Sequence, residues 1–478
     1  MLPDKQVGFL EHVSRRQWLQ RASGGFGAIA LQAMLGQTLA ADDPLSPRLP
    51  HHPATADSVI FIYSTGGVSQ VDTFDYKPQL QRDHGKSFTA SRWLNKPGKF
   101  DRFLTKSRWG FQRYGENGTW VSELFPCVGS VIDDLCILNA MHCDSDGHDK
   151  ATLAAHGGSA QSVRPSAGAW VSYGLGTENR NLPSFMVIAP SPPYAGAQTW
   201  SSDFLPGVHQ GTQVIPGDEP LPNLRPSVPT NLQELELSLL MQRNRKHLEN
   251  RGFDSALETR IRSFETAFGM QKEAPEVFDL ATEPTYIRSL YGLDTPDTSK
   301  FAWQCLVARR LVERGVRFIE LIDVGSSNNW DSHGNMQDHV RLAKAIDQPI
   351  AGLITDLKQR GLLSRTLVVW TSEFGRTPFH QDANHPGREH HNLVFTSWMA
   401  GGGIQGGLVH GKSDEYGILP VEGAVHTHDF HATILHTLGL DHERLTYRHA
   451  GRDYRLTDIA GKVIRPILQD GRSRPHTT

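Results

Sequence analysis

The stretch TLVVWTSEFGRTP, residues 366–378, decides how the fold is read. Residues 366–372 are mostly β-branched or aromatic and apolar on both faces, which suits a strand covered by helices above and below. Directly after them stand an acid, Glu373, and a base, Arg376, where open α/β sheets place their ligands.

Similar runs bounded by turn residues recur at 58–64, 135–140, 183–189, 316–322 and 394–399. Between them lie helical patterns, the clearest being Leu257, Ile261, Phe264 and Phe268, and Val340, Ala343, Ile346, Ile350, Leu353 and Leu357. Strand and helix alternate, so the expected architecture is α/β with a mostly parallel sheet. Pro349 falls inside the second helical pattern and predicts a kink or a restart there. The Pro- and Gly-rich stretch 194–230 has no period and reads as a surface insertion over one end of the sheet.

Composition is that of an ordinary globular chain: 38% hydrophobic, 21% charged, formal net charge -3 over 478 residues. That balance gives no reason to expect nucleic acid as a partner. Residues 1–41 read as a separate targeting segment. They run from a polar start through Ser14-Arg15-Arg16-Gln17-Trp18-Leu19 into a weakly apolar stretch ending at Ala40-Ala41. That stretch is shorter than the roughly 20 residues a membrane-spanning helix needs. The paired arginines resemble the twin-arginine signal, which implies the twin-arginine export machinery as a partner and a periplasmic or cell-envelope location. The rest, 55–470, reads as one α/β domain without a transmembrane helix. No C-x-x-C pair occurs among Cys127, Cys136, Cys143 and Cys305, which argues against a structural zinc site. A disulfide among the first three and buried free thiols both remain open.

Chemistry-bearing residues gather after the expected strands. After 316–322 comes Asn329-Trp330-Asp331-Ser332-His333-Gly334-Asn335, in which an Asp and a His two apart on an extended loop can turn toward one cation. After 366–372 come Glu373 and Arg376, then Gly387-Arg388-Glu389-His390-His391-Asn392. Asp331, His333, Glu373, His390 and His391 form a mixed N/O set that suits a divalent Zn, Mn or Fe ion better than Ca. Arg376 and Arg388 beside them either hold a phosphate or sulfate oxyanion or pair with Glu373 and Glu389. After the first strand, Gly66-Gly67 allows a sharp turn, with Ser69 as a hydroxyl ligand, nucleophile or helix cap and Asp72 as a further metal ligand. A third cluster, His142, Asp144, Asp146, His148, Asp149 and His156, surrounds a Gly-containing turn and adds His148 to the catalytic candidates. The histidines of 426–431 open an amphipathic helix and read as structural, with Asp429 as its cap or first-turn acid.

On the segments GGVSQVDTFDYKP, WDSHGN, TLVVWTSEFGRTP, GREHHN, AGGGIQGGLVHGKSDE and HDFHATILHTLGLD, the chain resembles the family catalogued as domain of unknown function 1501. That family is in turn similar to the alkaline phosphatase and sulfatase superfamily. The resemblance implies a three-layer α/β/α sandwich of alkaline phosphatase-like type. It places Ser372-Glu373-Phe374-Gly375 at the superfamily's Ser-Asp-His-Gly, Asp331 and His333 at its first carboxylate and His, and His390 or His391 at its later His. Asp429 and Thr433 fall in its closing helix. Phe374 removes one ligand, the first strand lacks the acidic pair, and no formylglycine motif is present. The implied activity is an exported metal-dependent hydrolase of a phosphate or sulfate ester, acting on a small anionic ester or a sulfated or phosphorylated saccharide. The alternative is a catalytically silent envelope binding or scaffold protein that keeps the fold.

Overall fold

All six residues of β1 (Ser58–Tyr63) are buried, and their side chains divide by period two between two cores. Ile60 and Ile62 join one, and Val59, Phe61 and Tyr63 the other. The other long strands divide likewise, so the sheet is covered on both faces. Described here from a computed structural model, residues 44–93, 96–224, 228–251 and 255–469 carry the account. The twin-arginine-like segment lies outside the described residues. Pro47–Thr478 form one compact unit.

The remaining central strands are β2 (Leu135–His142), β3 (Phe185–Ile188), β4 (Thr212–Val214), β5 (Phe318–Ile322), β6 (Thr366–Thr371), β7 (Phe395–Ala400), β8 (Leu408–His410) and β9 (Val425–His426). They lie in the order β8-β2-β7-β6-β1-β5-β3-β4, with β9 also paired to β2. Only β7 runs antiparallel to its neighbours. On one face pack α5 (Ser299–Glu313) and α6 (Asp338–Gln359), and on the other α1 (His148–Gly157), α2 (Ala167–Leu175) and α7 (Thr427–Thr437). Two further long helices are α3 (Thr230–Arg251) and α4 (Ser255–Phe278), and three short ones lie at Pro78–Arg82, Pro126–Ser130 and Thr285–Tyr291. This is the three-layer α/β/α sandwich with a mostly parallel sheet.

Three expectations need correction. Of the kink or restart expected at Pro349, the restart does not occur: α6 stays continuous, the ring is buried, and core packing along Leu342, Ile346, Ile350 and Leu353 outweighs the hydrogen bond it forfeits. The 194–230 stretch does more than cover the sheet, since β4 extends it by pairing with β3. On α4, Ile261 is buried as the pattern requires, but Phe264 is exposed. No disulfide joins the four cysteines, and three of them are buried free thiols. No described helix is long and apolar enough to cross a membrane.

Candidate metal centre

Because β1, β2, β5 and β6 run parallel, their C-terminal ends share one edge, and β7, running the other way, starts there. The segments leaving that edge bring His148 (after β2), Asp331 and His333 (after β5) and His390 (before β7) together. One ligand atom from each lies within 4.8 Å of the others. Asp331 Oδ1 is 2.9 Å from His333 Nε2 and 3.3 Å from His390 Nε2, and Oδ2 is 3.2 Å from His148 Nε2.

Each imidazole is held by its other nitrogen. His148 Nδ1 is 2.9 Å from Glu373 Oε1, His333 Nδ1 is 2.9 Å from Glu389 Oε2, and His390 Nδ1 is 2.6 Å from the Asp146 carbonyl oxygen. An Nδ1–H donated to an oxygen leaves a lone pair on Nε2, and all three Nε2 atoms face the Asp331 carboxylate. His148 Nε2 is buried, with the Asp331 carboxylate 3.2 Å away but no well-aligned hydrogen bond to it. Once His333 gives up the proton that its raised pKa holds there, the three Nε2 atoms and the carboxylate offer four electron-pair donors to one cation.

Backbone geometry makes this approach possible. Gly66 has φ of +117°, and a Cβ there would lie 2.6 Å from the Asp331 amide nitrogen. Its own N–H donates to Glu373 Oε1 at 2.8 Å. Glu373 also accepts from Tyr63 Oη and Ser372 Oγ, both at 3.0 Å. Burial pushes the Glu373 carboxyl up, but its contacts, led by His148, bring it below its ordinary value. Glu373 therefore stands behind His148 as a support. His390 and His391 form a two-residue ladder with Gly375–Arg376, so their side chains point to opposite sides. His391 turns away and meets the Ile418 carbonyl oxygen at 2.7 Å, and burial lowers its pKa to about 4.

Asp331 is partly buried, which raises a carboxyl, yet the three histidines and Arg376 hold it far below the usual range. His333 is pushed up to about 9 by Asp331 and Glu389. Arg376, fully buried, reaches Asp331 Oδ1 at 2.7 Å and donates to the Gly66, Gly67 and Arg388 carbonyls.

The remaining sequence candidates sit apart. Arg388 is buried against Asp72 (Nε to Oδ2, 2.7 Å) and donates further to the carbonyls of Thr105, Lys106 and Thr377, so its guanidinium is committed to the fold. Asp72 points at Arg388 and accepts from Ser69 Oγ at 2.5 Å, and neither joins the cluster. Ser69 has no exposed surface, and its backbone opens a three-residue turn. His156 is buried on Glu320, 2.7 Å away, and His142 packs beside His426. At α7, His426 is the N-cap and Asp429 closes the capping box.

Phe374, which the sequence reading took only as the absence of a ligand, packs its ring 4.5 Å from His390 and 5.0 Å from His148. One contributor escaped that reading. Tyr194 stacks on His148 at 4.1 Å, its hydroxyl accepting from Asn329 Nδ2 at 3.2 Å. No local signal marks Tyr194; the aromatic sits in an aperiodic loop. Beside His148 and His390 opens a cavity of about 720 Å³, lined also by Asp144, Asp149, Lys150, Gln161 and Tyr194.

Fold and site together define an α/β sandwich with a three-histidine, one-carboxylate donor set at the carboxyl edge of its sheet. The chain belongs to the family described as "Protein of unknown function (DUF1501)", which matches residues 56–468. No curated protein matches the sequence. Among solved structures, a sulfatase of Pseudoalteromonas sp. is similar at 12% identity and TM-score 0.32, covering 85% of this chain and 70% of its own. The alkaline phosphatase of the Antarctic bacterium TAB5 aligns at 11% identity and TM-score 0.31, over 73% of this chain and 92% of its own. A phosphonate monoester hydrolase from Silicibacter pomeroyi aligns at 13% identity and TM-score 0.31, over 73% of each chain.

Proposed function

We propose that the protein is a hydrolase of phosphate or sulfate esters that uses one divalent cation held by His148, Asp331, His333 and His390. The observation that carries the reading is the convergence of three Nε2 atoms on one carboxylate, each imidazole facing an oxygen at Nδ1. The donor set suits Zn, Mn or Fe better than Ca. The cation would supply Lewis acidity toward an ester oxygen and toward water.

The chain's own residues do the rest. Glu373, Glu389 and the Asp146 carbonyl keep the three imidazoles in one tautomer and orientation. Arg376 fixes Asp331, which leaves Lys150 as the cation lining the cavity to meet an oxyanion. Asp149, Gln161 and Tyr194 offer acceptors, donors and a ring edge to a hydroxylated leaving group, which favours a sulfated or phosphorylated saccharide. Phe374 closes the inner wall against water.

The buried Ser69 favours direct attack by water over a covalent serine intermediate, and it equally fits a second reading in which the site binds without turnover. Protein purified without chelator should contain about one cation per chain and turn over aryl phosphate, aryl sulfate or sulfated saccharide. Metal without turnover on any of these leaves the binding reading; no metal overturns both. Export in the folded state belongs to the same proposal and is supported by Arg15-Arg16. Replacing both with Lys should strand the protein in the cytoplasm, and unchanged fractionation would refute it.

A further inference from the structure

On α3 (Thr230–Arg251), Gln233, Leu237 and Met241 are partly buried, and Gln233 Nε2 donates to Gln271 on α4 at 2.7 Å. The opposite side carries Leu232, Leu235, Leu239 and Leu240, with 44%, 58%, 55% and 41% of their surfaces exposed. At 3.6 residues per turn these four fall within an arc of about 140°, a contiguous apolar face rather than scattered single residues. Glu236 and Arg243 project within the same arc. Neither has an opposite charge one turn away on its own helix, and neither makes an ion pair with another described residue.

Charge along α3 is ordered. Residues 230–240 carry acids and no base, whereas 241–251 are dominated by Arg243, Arg245, Lys246 and Arg251. A face that is acidic at one end, basic at the other and apolar between complements itself when turned end for end. We propose that two copies of this chain associate through that face, α3 packing antiparallel on α3 of the second copy about a two-fold axis between Leu239 and Leu240. In that register Glu236 of each copy faces Arg243 of the other, the leucines around the axis are covered, and the helix dipoles oppose. A helix of 22 residues, about 33 Å long and about 10 Å across, offers a face of roughly 330 Å², less than the roughly 800 Å² per partner of a standard interface. The dimer therefore dissociates on dilution.

Sedimentation velocity on the full chain tests this. The unaltered protein should show dimer at about 50 µM and monomer on dilution. Glu236→Arg and Arg243→Glu, both on exposed positions that leave the fold intact, should each weaken association at least about tenfold by placing like charges opposite. An equimolar mixture of the two variants re-creates both opposite-charge pairs and should form a heterodimer tighter than either variant alone. Three outcomes overturn the proposal: a monomer at about 100 µM, single variants that associate unchanged, or a mixture no tighter than its components.

Discussion

The Nε2 atoms of His333 and His390 lie 2.9 Å apart, and each ring already has its Nδ1 against an oxygen, Glu389 Oε2 for one and the Asp146 carbonyl for the other. With His333 pushed up to about 9, a proton on its Nε2 bridges the pair when no cation is bound; a cation bound there displaces that proton and takes both Nε2 lone pairs. His333→Ala, His390→Ala and His148→Ala should therefore each abolish stoichiometric metal by elemental analysis. His391→Ala, on the other side of the same short strand, should keep it. Equal metal loss in all four variants would mean that the histidines act through folding and not as ligands.

Support behind the ligands is separable from ligation. Glu373 meets His148 at Nδ1 without reaching the converging donor atoms, so Glu373→Ala should leave metal binding in place but weaken it about 10–100-fold. Competition with a chromogenic chelator reads this directly. Tyr63→Phe, which removes one of the hydrogen bonds on Glu373, should produce a smaller change in the same direction. An affinity untouched by Glu373→Ala would show that the packing of Tyr194 and Phe374 is enough to fix His148.

Much of this was legible in the sequence, for identifiable reasons. Strands apolar on both faces, such as 366–372, announce a covered parallel sheet, and the carboxyl edge of such a sheet is where Asp331, His333 and His390 were sought. What sequence could not resolve was which atoms point inward. His390 and His391 are indistinguishable until the ladder with Arg376 sets the alternation. Glu373 follows a strand as a ligand would, yet the Gly66 amide and Tyr63 draw it into a supporting layer. Arg388 and Asp72, 316 positions apart, find each other only through the tertiary fold.

That buried pair has its own consequence. Removing Arg388 leaves Asp72 charged and buried, so Arg388→Met should cost about 3–5 kcal/mol near neutral pH. Burial acts to raise the Asp72 carboxyl, but the charge and hydrogen bonds of Arg388, with help from Ser69, set it below its ordinary value. A depressed acid contributes stability that is complete above the unfolded value of about 3.9 and is lost as pH falls through the folded value. The gap in denaturation midpoint between the unaltered protein and Asp72→Asn should therefore be constant from about pH 5 to 7 and narrow progressively as pH falls below about 4. A gap that shows no narrowing as pH falls below about 4 would place the stabilisation elsewhere.

The last prediction concerns the backbone that joins the two ligand loops. A Cβ at Gly387 would lie 1.7 Å from the His333 carbonyl oxygen and 2.3 Å from its carbonyl carbon, an overlap with main chain that no side-chain rotation relieves. The Arg388 amide, one residue on, donates to the Ser332 carbonyl at 3.3 Å, so the loops bearing His333 and His390 are held together here. Gly387→Ala must push them apart by an ångström or more. The donor atoms are close enough that such a shift breaks the site, while the sheet and both cores lie below it and stay packed. The expected result is a protein with unchanged circular dichroism and a denaturation midpoint within about 1 kcal/mol of the unaltered chain, but without bound metal. Metal retained at full stoichiometry would show that the loops can separate without moving the imidazoles, and that the convergence of Nε2 atoms does not depend on this contact.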